Sequence, residues 1–466
     1  VRQKDRPATA QKACQLPVLA ELLKRTVYVH LGDRYEVVGE EMLEDLAWQV
    51  CEREAVAEGE RIRLTDPTAT VPKFGLSTAN ALVRAVRSRM RLPESAKLDS
   101  WIGADRGNVL SVANGLLWPD RTTSPHSSNW FSITSLPTRY EPKAGKPVRW
   151  LKVLSELLQK DDDRIATIQE LFGVCLDRKA TFKYLVALLG EGDNGKSVVL
   201  AVLRALLGER NVASTSIRRI TQDKFALFTL YGKLANVVGD EGFFESADEG
   251  TLKTITGEDL VPFEDKYRSG FFDVNRCKTV FSCNTLPRFS DRSNGIWNRL
   301  VVVPFSYTVP DEKKNPDLLK PSYWAEELPG LLNWALDGLA RFRANGRLTL
   351  SLASARAGDE ARLDSQHHRR FLIEHYEFTP EQFAHGQEVY DHYRQWMRDQ
   401  GLERSTVSQP VFLKEIPKVL LGAASTPRRI DGVLVRMWKG VVRRPDVTPV
   451  TSSYSSSGPK AYRSTG

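Results

Sequence analysis

Residues 184–200 read YLVALLGEGDNGKSVVL, and this stretch decides the fold. An apolar run from Tyr184 to Leu189 leads directly into Gly190-Glu191-Gly192-Asp193-Asn194-Gly195-Lys196-Ser197, and Val198 resumes an apolar, helix-compatible pattern. The spacing G-x-x-x-x-G-K-S between a buried strand and a helix start is the phosphate-binding P-loop pattern. Its glycines let the backbone turn tightly enough for N–H groups to surround a phosphate at the positive end of the following helix. Residues Gly190 through Val198 are therefore expected to hold a nucleoside triphosphate, with ATP and Mg²⁺ as cofactors. Lys196 would reach the β- and γ-phosphates, and the Ser197 hydroxyl would hold the metal.

The rest of the composition is compatible with a multidomain globular chain. It has 466 residues, of which 27% are charged and 41% hydrophobic, enough for two to four domains. A net charge of +8 makes a polyanionic partner plausible without demanding one. The five cysteines (Cys14, Cys51, Cys175, Cys277, Cys283) include no C-x-x-C pair, which argues for reduced thiols and against a zinc site. No apolar run approaches the roughly 20 residues that span a bilayer, so no membrane partner and a cytoplasmic setting are expected. The chain begins with Val, which leaves open whether it is part of a longer protein.

Continuous apolar runs at 184–189, 234–238, 279–283 and 300–305, separated by helical segments, predict a parallel sheet covered on both faces. The expected fold class is α/β with a P-loop core, preceded by an α-rich N-terminal region. The boundaries expected from composition are an α+β domain (1–147), a helical collar (148–180), the ATPase core (181–308), a helical lid and linker (309–370), a last module (371–444) and a Ser/Thr/Pro/Gly-rich disordered tail (445–466). At the N-terminus the spacing predicts a helix over 16–24 and a hairpin turning at Gly32-Asp33.

Four further motifs follow the loop. The run Leu234–Gly239 ends in Asp240-Glu241, placed to bind Mg²⁺ through water and to orient or deprotonate an attacking water. By themselves, two such acids would equally suit a solvated strand end. The strand 278–283 ends in Asn284, which suits a sensor of the γ-phosphate, or simply a turn. Arg292 and Arg299 precede the fifth strand, where either would serve as an arginine finger toward a neighbouring subunit or as a surface ion-pair partner. Between the acidic pair and the strand ending in Asn284 lies TGEDLVPFEDKYRSGFF, residues 256–272, which fits a hairpin with Lys266, Tyr267 and Arg268 at its tip. In a ring such tips would follow a phosphate backbone, although an ordinary charged turn has the same composition.

Taken in order, GEGDNGKS, VVGDE, TGEDLVPFEDKYRSGFF, TVFSCNTLP and DRSNGIWNRLVVVPF strongly resemble the superfamily 3 helicases. They look most like the phage/plasmid and poxvirus-type primase–helicase branch, whose motors are hexameric AAA+ rings moving on DNA. The resemblance extends over about residues 105–345, including Asn114-Gly115-Leu116 upstream and ELPGLLNWALDG (327–338) downstream. It implies Lys196 and Ser197 for phosphate and Mg²⁺, Asp240 and Glu241 for metal and water, and Asn284 as sensor. It also implies Lys266 as the DNA-contacting lysine and Arg299 as the finger. Relatives often carry two arginines before the fifth strand, and Asn298 occupies the first place here. The residues before 105 include no paired-aspartate strand motif and are too few for a polymerase-type catalytic domain, so any primase or polymerase would be a separate partner.

In the last module, two helices and a hairpin with an Asp-Gly turn suggest a winged helix, as related proteins have at this position. Its basic edge, Arg428 and Arg429 above all, would contact DNA phosphates, and docking to a protein is the competing use. The expected function is an ATP-dependent, ring-forming DNA helicase on single-stranded or forked DNA, for replication of a phage, plasmid or mobile element. Two other classes compete: an ATP-controlled initiator or loader without processive unwinding, and a monomeric small-molecule kinase, in which the hairpin motif would have no place.

Overall fold

The structure is a computed structural model; it describes residues 18–21, 26–66, 68, 75–89, 96–242, 248–266, 270–287, 289, 295–430 and 433–445. The chain divides into two compact units, 1–358 and 359–466. Tyr267, Arg268, Arg292 and the Asp-Gly turn at 431–432 lie outside the described residues.

The first unit begins with an antiparallel sheet of β1 (Val18–Glu21), β2 (Thr26–His30) and β3 (Tyr35–Val38). The β2–β3 hairpin agrees with the sequence. The helix expected over 16–24 does not form at its centre, because Val18 to Glu21 pair with Val29 to Thr26 instead. A strand partner overrides a weak local preference for helix. Two helices follow, α1 (Glu40–Thr65) and α2 (Leu76–Arg89). Short strands then form two small sheets. In one, β4 (Ser100–Trp101) pairs with β8 (Trp130–Phe131); in the other, β5 (Leu110–Val112), β6 (Gly115–Leu117) and β7 (Thr123–Ser124) make a meander.

Two helices, α3 (Val148–Leu157) and α4 (Asp162–Leu176), lead to the central sheet. Its strands are β9 (Leu185–Leu189), β10 (Val212–Ala213), β11 (Ala235–Val238), β14 (Lys278–Cys283) and β15 (Leu300–Pro304). Their order is β10-β11-β14-β9-β15 and every pair is parallel. Strand residues alternate between two cores: Val186 and Leu188 join a cluster with Trp150, Phe172, Leu203 and Trp324, while Leu185 and Ala187 join Ile217, Leu252 and Phe281 on the other face. Burial on both faces explains why these strands read as unbroken apolar runs. The helices around the sheet include α5 (Lys196–Leu207), α6 (Ile217–Gln222), α7 (Glu249–Thr256), the short α8 (Pro321–Trp324) and α9 (Leu328–Asn345). A separate antiparallel pair, β12 (Leu260–Phe263) and β13 (Phe271–Val274), projects between β11 and β14 in the chain.

The downstream motif at 327–338 has a packing explanation. A Cβ on Gly338 would run into the backbone of Gln169, and one on Gly173 into the backbone of Ala335 and Leu339, so α4 and α9 touch through bare backbone. Gly330 meets the carbonyl of Gly145 in the same way. Beside this contact the fully buried Glu170 accepts from Arg341 Nε at 2.6 Å, Thr349 N at 2.6 Å and Thr349 Oγ1 at 2.8 Å, so its carboxylate is satisfied.

After α10 (Leu352–Ser365), the second unit runs α11 (His367–His375), β16 (Tyr376–His385), α12 (Gly386–Asp399), α13 (Gln409–Val419), β17 (Ala424–Ile430) and β18 (Val433–Arg443). Its antiparallel sheet has the order β16-β18-β17, and Phe371, Tyr393, Met397, Phe412 and Trp438 form its core. Within the expected lid and linker, residues 350–370 form two helices meeting at the buried Gln366. Among the described residues no helix is long and apolar enough to cross a membrane.

If the α4–α9 contact is as tight as this geometry requires, Gly338→Ala lowers the unfolding free energy of the first unit by about 2 kcal/mol, as overpacked helix contacts do. Thermal and urea unfolding would read it, and an unchanged midpoint would refute the close approach.

Candidate functional site

The loop between β9 and α5 turns on a left-handed backbone: Asp193 has φ 59° and Gly195 has φ 79°. A non-glycine residue at 195 would be strained and would also drive its Cβ into the Leu157 side chain of α3. Gly190 is equally constrained, since a Cβ there would collide with the Phe305 carbonyl and the Asn194 amide. Asn194, buried, donates from Nδ2 to Phe305 O at 2.9 Å, while Val309 N donates to Asp193 O at 2.8 Å. Residues just after β15 thus fasten the loop from outside.

Lys196 opens α5, and its side chain folds back over its own loop. Nζ donates to Gly190 O at 2.6 Å, Glu191 O at 2.7 Å and Asn194 Oδ1 at 2.8 Å. Asn284 Oδ1, at the end of β14, lies 3.4 Å away. Burial lowers the Lys196 pKa, and Cys283 and Asp240 act against that. A buried ammonium with only neutral oxygens around it is poised to gain from an incoming phosphate. Ser197, one residue on, and Asp240, at the end of β11, are exposed. Glu191 and Gly192 are exposed too, and Val198 is half-buried against the core.

Glu241 departs from its neighbour. It is 3% exposed, and its carboxylate accepts from the first two amides of α6, Ile217 N at 2.8 Å and Arg218 N at 3.2 Å. Its own amide donates to Ser282 O of β14 at 2.8 Å. Burial pushes the carboxyl above its usual range and Asp240 adds to this, while the two amide hydrogen bonds pull it back.

The tertiary structure therefore brings Lys196, Asn284, Asp240 and Glu241 to one end of the sheet, around the loop. Arg299 is elsewhere. Its carbonyl accepts from Leu185 N, so it stands where β9 begins, while the loop stands where β9 ends. Its guanidinium Nη1 donates to Gly295 O at 3.0 Å, and its buried Nε has no hydrogen-bond partner among the described residues. Lys266 is exposed at the end of the β12–β13 hairpin, 5.9 Å from the Phe225 ring centroid. The hairpin base is gripped by aromatic contacts, with Tyr231–Phe271 at 4.8 Å and Tyr231–Phe263 at 5.0 Å. In the second unit Arg428 and Arg429 are exposed on β17, and Arg428 lies 4.5 Å over the Phe383 ring.

Sequence reasoning missed the residues that fasten the loop, because Leu157 and Val309 belong to no motif and Phe305, which closes DRSNGIWNRLVVVPF, reads only as the end of an apolar strand. Only the direct β15-to-loop adjacency could have signalled them. Among the described residues no cluster of three or more His, Cys, Asp or Glu could hold a metal by itself.

Residues 188–299 match a family model described as "Family of unknown function (DUF5906)". The chain is 27% identical over 213 residues to "Putative helicase L207/L206" of Acanthamoeba polyphaga mimivirus, covering 41% of this chain and 22% of that protein. It is 30% identical over 141 residues to "Putative helicase 184R" of Invertebrate iridescent virus 6, covering 28% of this chain and 14% of that protein. The matched segments are thus less than a quarter of those relatives' own lengths. The apo structure of the NrS-1 C terminal region has a similar fold, with TM-score 0.50 and 13% identity over 95% of this chain and 100% of that one.

Glu241→Ala would leave the first two amides of α6 without their acceptor, with the Ser216 cap still in place, and is expected to cost about 1–2 kcal/mol in urea unfolding. A carboxyl with a raised folded-state pKa contributes stability below its unfolded value of about 4.3, and that contribution is lost as pH rises through the folded value. Glu241→Gln should therefore flatten the stability–pH curve just above that point. Over part of its length, the chain is similar to proteins of viruses named "Putative helicase", as its motifs implied.

Proposed function

We propose that this chain is an ATP-driven DNA helicase of the superfamily 3 type, working as a ring, in the hexameric form that family uses. It would act in the cytoplasm of a bacterial or phage-infected cell, beside a separate primase or polymerase. The observation that carries this reading is the division of the site between the two ends of β9. Lys196, Asn284 and the acidic pair surround the loop at one end, and Arg299 stands at the other. A five-residue strand separates them by roughly 16 Å at about 3.3 Å per residue, too far for Arg299 to reach a phosphate on its own loop. An arginine so placed is useful to the loop of a second copy, which makes the ring the natural functional unit. The sheet order β10-β11-β14-β9-β15, with the loop after a central strand, supports the AAA+ assignment.

Within one site, Gly190 to Val198 would wrap the phosphates and Lys196 would leave its own carbonyls for the γ-phosphate. Ser197 and Asp240 are exposed oxygen donors flanking Lys196, a donor set suited to Mg²⁺. When bound, that ion would neutralise charge on the β- and γ-phosphates. Asn284 would report whether the γ-phosphate is present, and Glu241 would leave the α6 amides to orient the attacking water. Loss of the γ-phosphate would release these contacts and move the β12–β13 hairpin, whose Lys266, Tyr267 and Arg268 would follow single-stranded or forked DNA. In the second unit the order helix, strand, helix, helix, hairpin supports a winged helix, with Arg428 and Arg429 contacting phosphates.

One observation favours a second reading. Glu241 is held on α6 and turned into the protein, a state that binds nucleotide without cleaving it. In that reading ATP controls assembly on DNA and the chain is an initiator or loader.

Lys196→Ala is expected to abolish ATP hydrolysis. Lys266→Ala should weaken strand displacement on a forked duplex while leaving basal hydrolysis intact; undiminished unwinding would remove the hairpin from the DNA path. Subunits carrying Arg299→Ala mixed with subunits carrying Glu241→Gln should partly regain hydrolysis, since some interfaces then have two intact partners. No recovery at any mixing ratio would count against an arginine acting between copies, and ATP-dependent rings that never unwind would favour the loader.

A further inference from the structure

The central sheet gives the phosphate loop two unlike sides. On one side of β9 lies β14, ending at Asn284, and beyond it β11, ending at Asp240 and Glu241; on the other side lies β15. A triphosphate whose γ end meets Lys196, Asn284 and the acids must run its α end, with the nucleoside attached, toward β15. There the chain leaving β15 crosses the loop, fastened by Asn194 to Phe305 O and by Val309 N to Asp193 O. Lys314 adds an ion pair to Asp193 at 2.9 Å.

Beside this crossing is an open cavity of about 580 Å³, walled by Lys152, Glu156, Gln159 and Lys160 from the end of α3, and by Tyr307 and Lys313. That volume is in the range of small-ligand sites. The same end of α3 supplies Leu157, the side chain against Gly195, so loop and cavity share a wall. The Tyr307 ring is half-buried and braced: its hydroxyl donates to Glu156 Oε1 at 3.0 Å, and Lys313 Nζ donates to the same oxygen at 2.7 Å. Glu156 Oε2 is not engaged by either bond, which leaves an acceptor at the cavity wall.

The geometry points to this cavity as the nucleoside seat, with the Tyr307 ring stacking on an amino-bearing nucleobase and Glu156 accepting from its exocyclic amino group. The inference rests on the reading of 190–197 as a triphosphate site. It assigns the phosphates to the loop and base selection to α3 and the segment after β15. An aromatic face tolerates any base, whereas an acceptor-only carboxylate favours a base carrying an amino group over hypoxanthine.

Calorimetric titration of the full chain with Mg–ATP, Mg–ITP and inorganic tripolyphosphate separates the two halves of the ligand. Tyr307→Ala should weaken ATP roughly tenfold, the usual worth of one base–aromatic stack, and leave tripolyphosphate unchanged. Tyr307→Phe keeps the ring and should keep the ATP affinity, which guards against a merely misfolded alanine variant. Glu156→Ala should bring ATP down to the affinity of ITP. Equal weakening of ATP and tripolyphosphate by Tyr307→Ala, or no effect on either, would overturn the seat. An unchanged ATP-to-ITP ratio in Glu156→Ala would remove the base contact. If Lys196→Ala bound ATP and tripolyphosphate as tightly as the unaltered chain, the phosphate loop itself would be misassigned, and the seat would fall with it.

Discussion

The left-handed turn at Asp193 to Gly195, seated on Leu157 and fastened to the chain after β15, is the constraint on which the rest depends. It holds the six residues between β9 and α5, 190–195, in one shape. The supports come from two places: a leucine from α3, and the carbonyl of Phe305 and the amide of Val309 from the chain after β15. Loosening any of them would let the loop relax out of this turn. The helices before the sheet are therefore part of the site, although they carry none of its motifs.

Both ionisable groups proposed for phosphate chemistry are held by groups close at hand, mostly backbone. Lys196 is folded onto three oxygens of its own loop, and Glu241 caps α6. In each case a buried charge is satisfied by neutral dipoles, which keeps the folded chain stable but leaves the group in the wrong place for catalysis. Release of both would require the stronger attraction of a triphosphate and its metal. In the proposed function, the same bonds would connect folding stability to nucleotide occupancy, and through α6 to the segment from 223 to 231 that grips the hairpin.

Glycine plays a different part in the two halves of the first unit. In the loop Gly195 permits a positive φ, whereas Gly173 and Gly338 permit two helix backbones to touch. The motif at 327–338 looks functional in the sequence, yet Gly330 and Gly338 are explained by packing alone.

The parallel sheet, the loop, and the placement of Asp240, Glu241 and Asn284 at strand ends were legible in the sequence. They are local matters: an apolar run is a buried strand, and the residue after it stands at the sheet's edge. The β2–β3 hairpin was legible for the same reason. The strand at Val18–Glu21 was not, since it exists only because β2 lies beside it. Which way Glu241 faces, the approach of Asn284 to Lys196, and how far Arg299 stands from its own loop were decided by tertiary structure alone. Those depend on strand order and on contacts between residues more than 20 positions apart, and no spacing along the chain encodes a strand's neighbour. The Tyr307–Glu156 brace, joining residues 151 positions apart, arises in the same way from β15 lying next to β9.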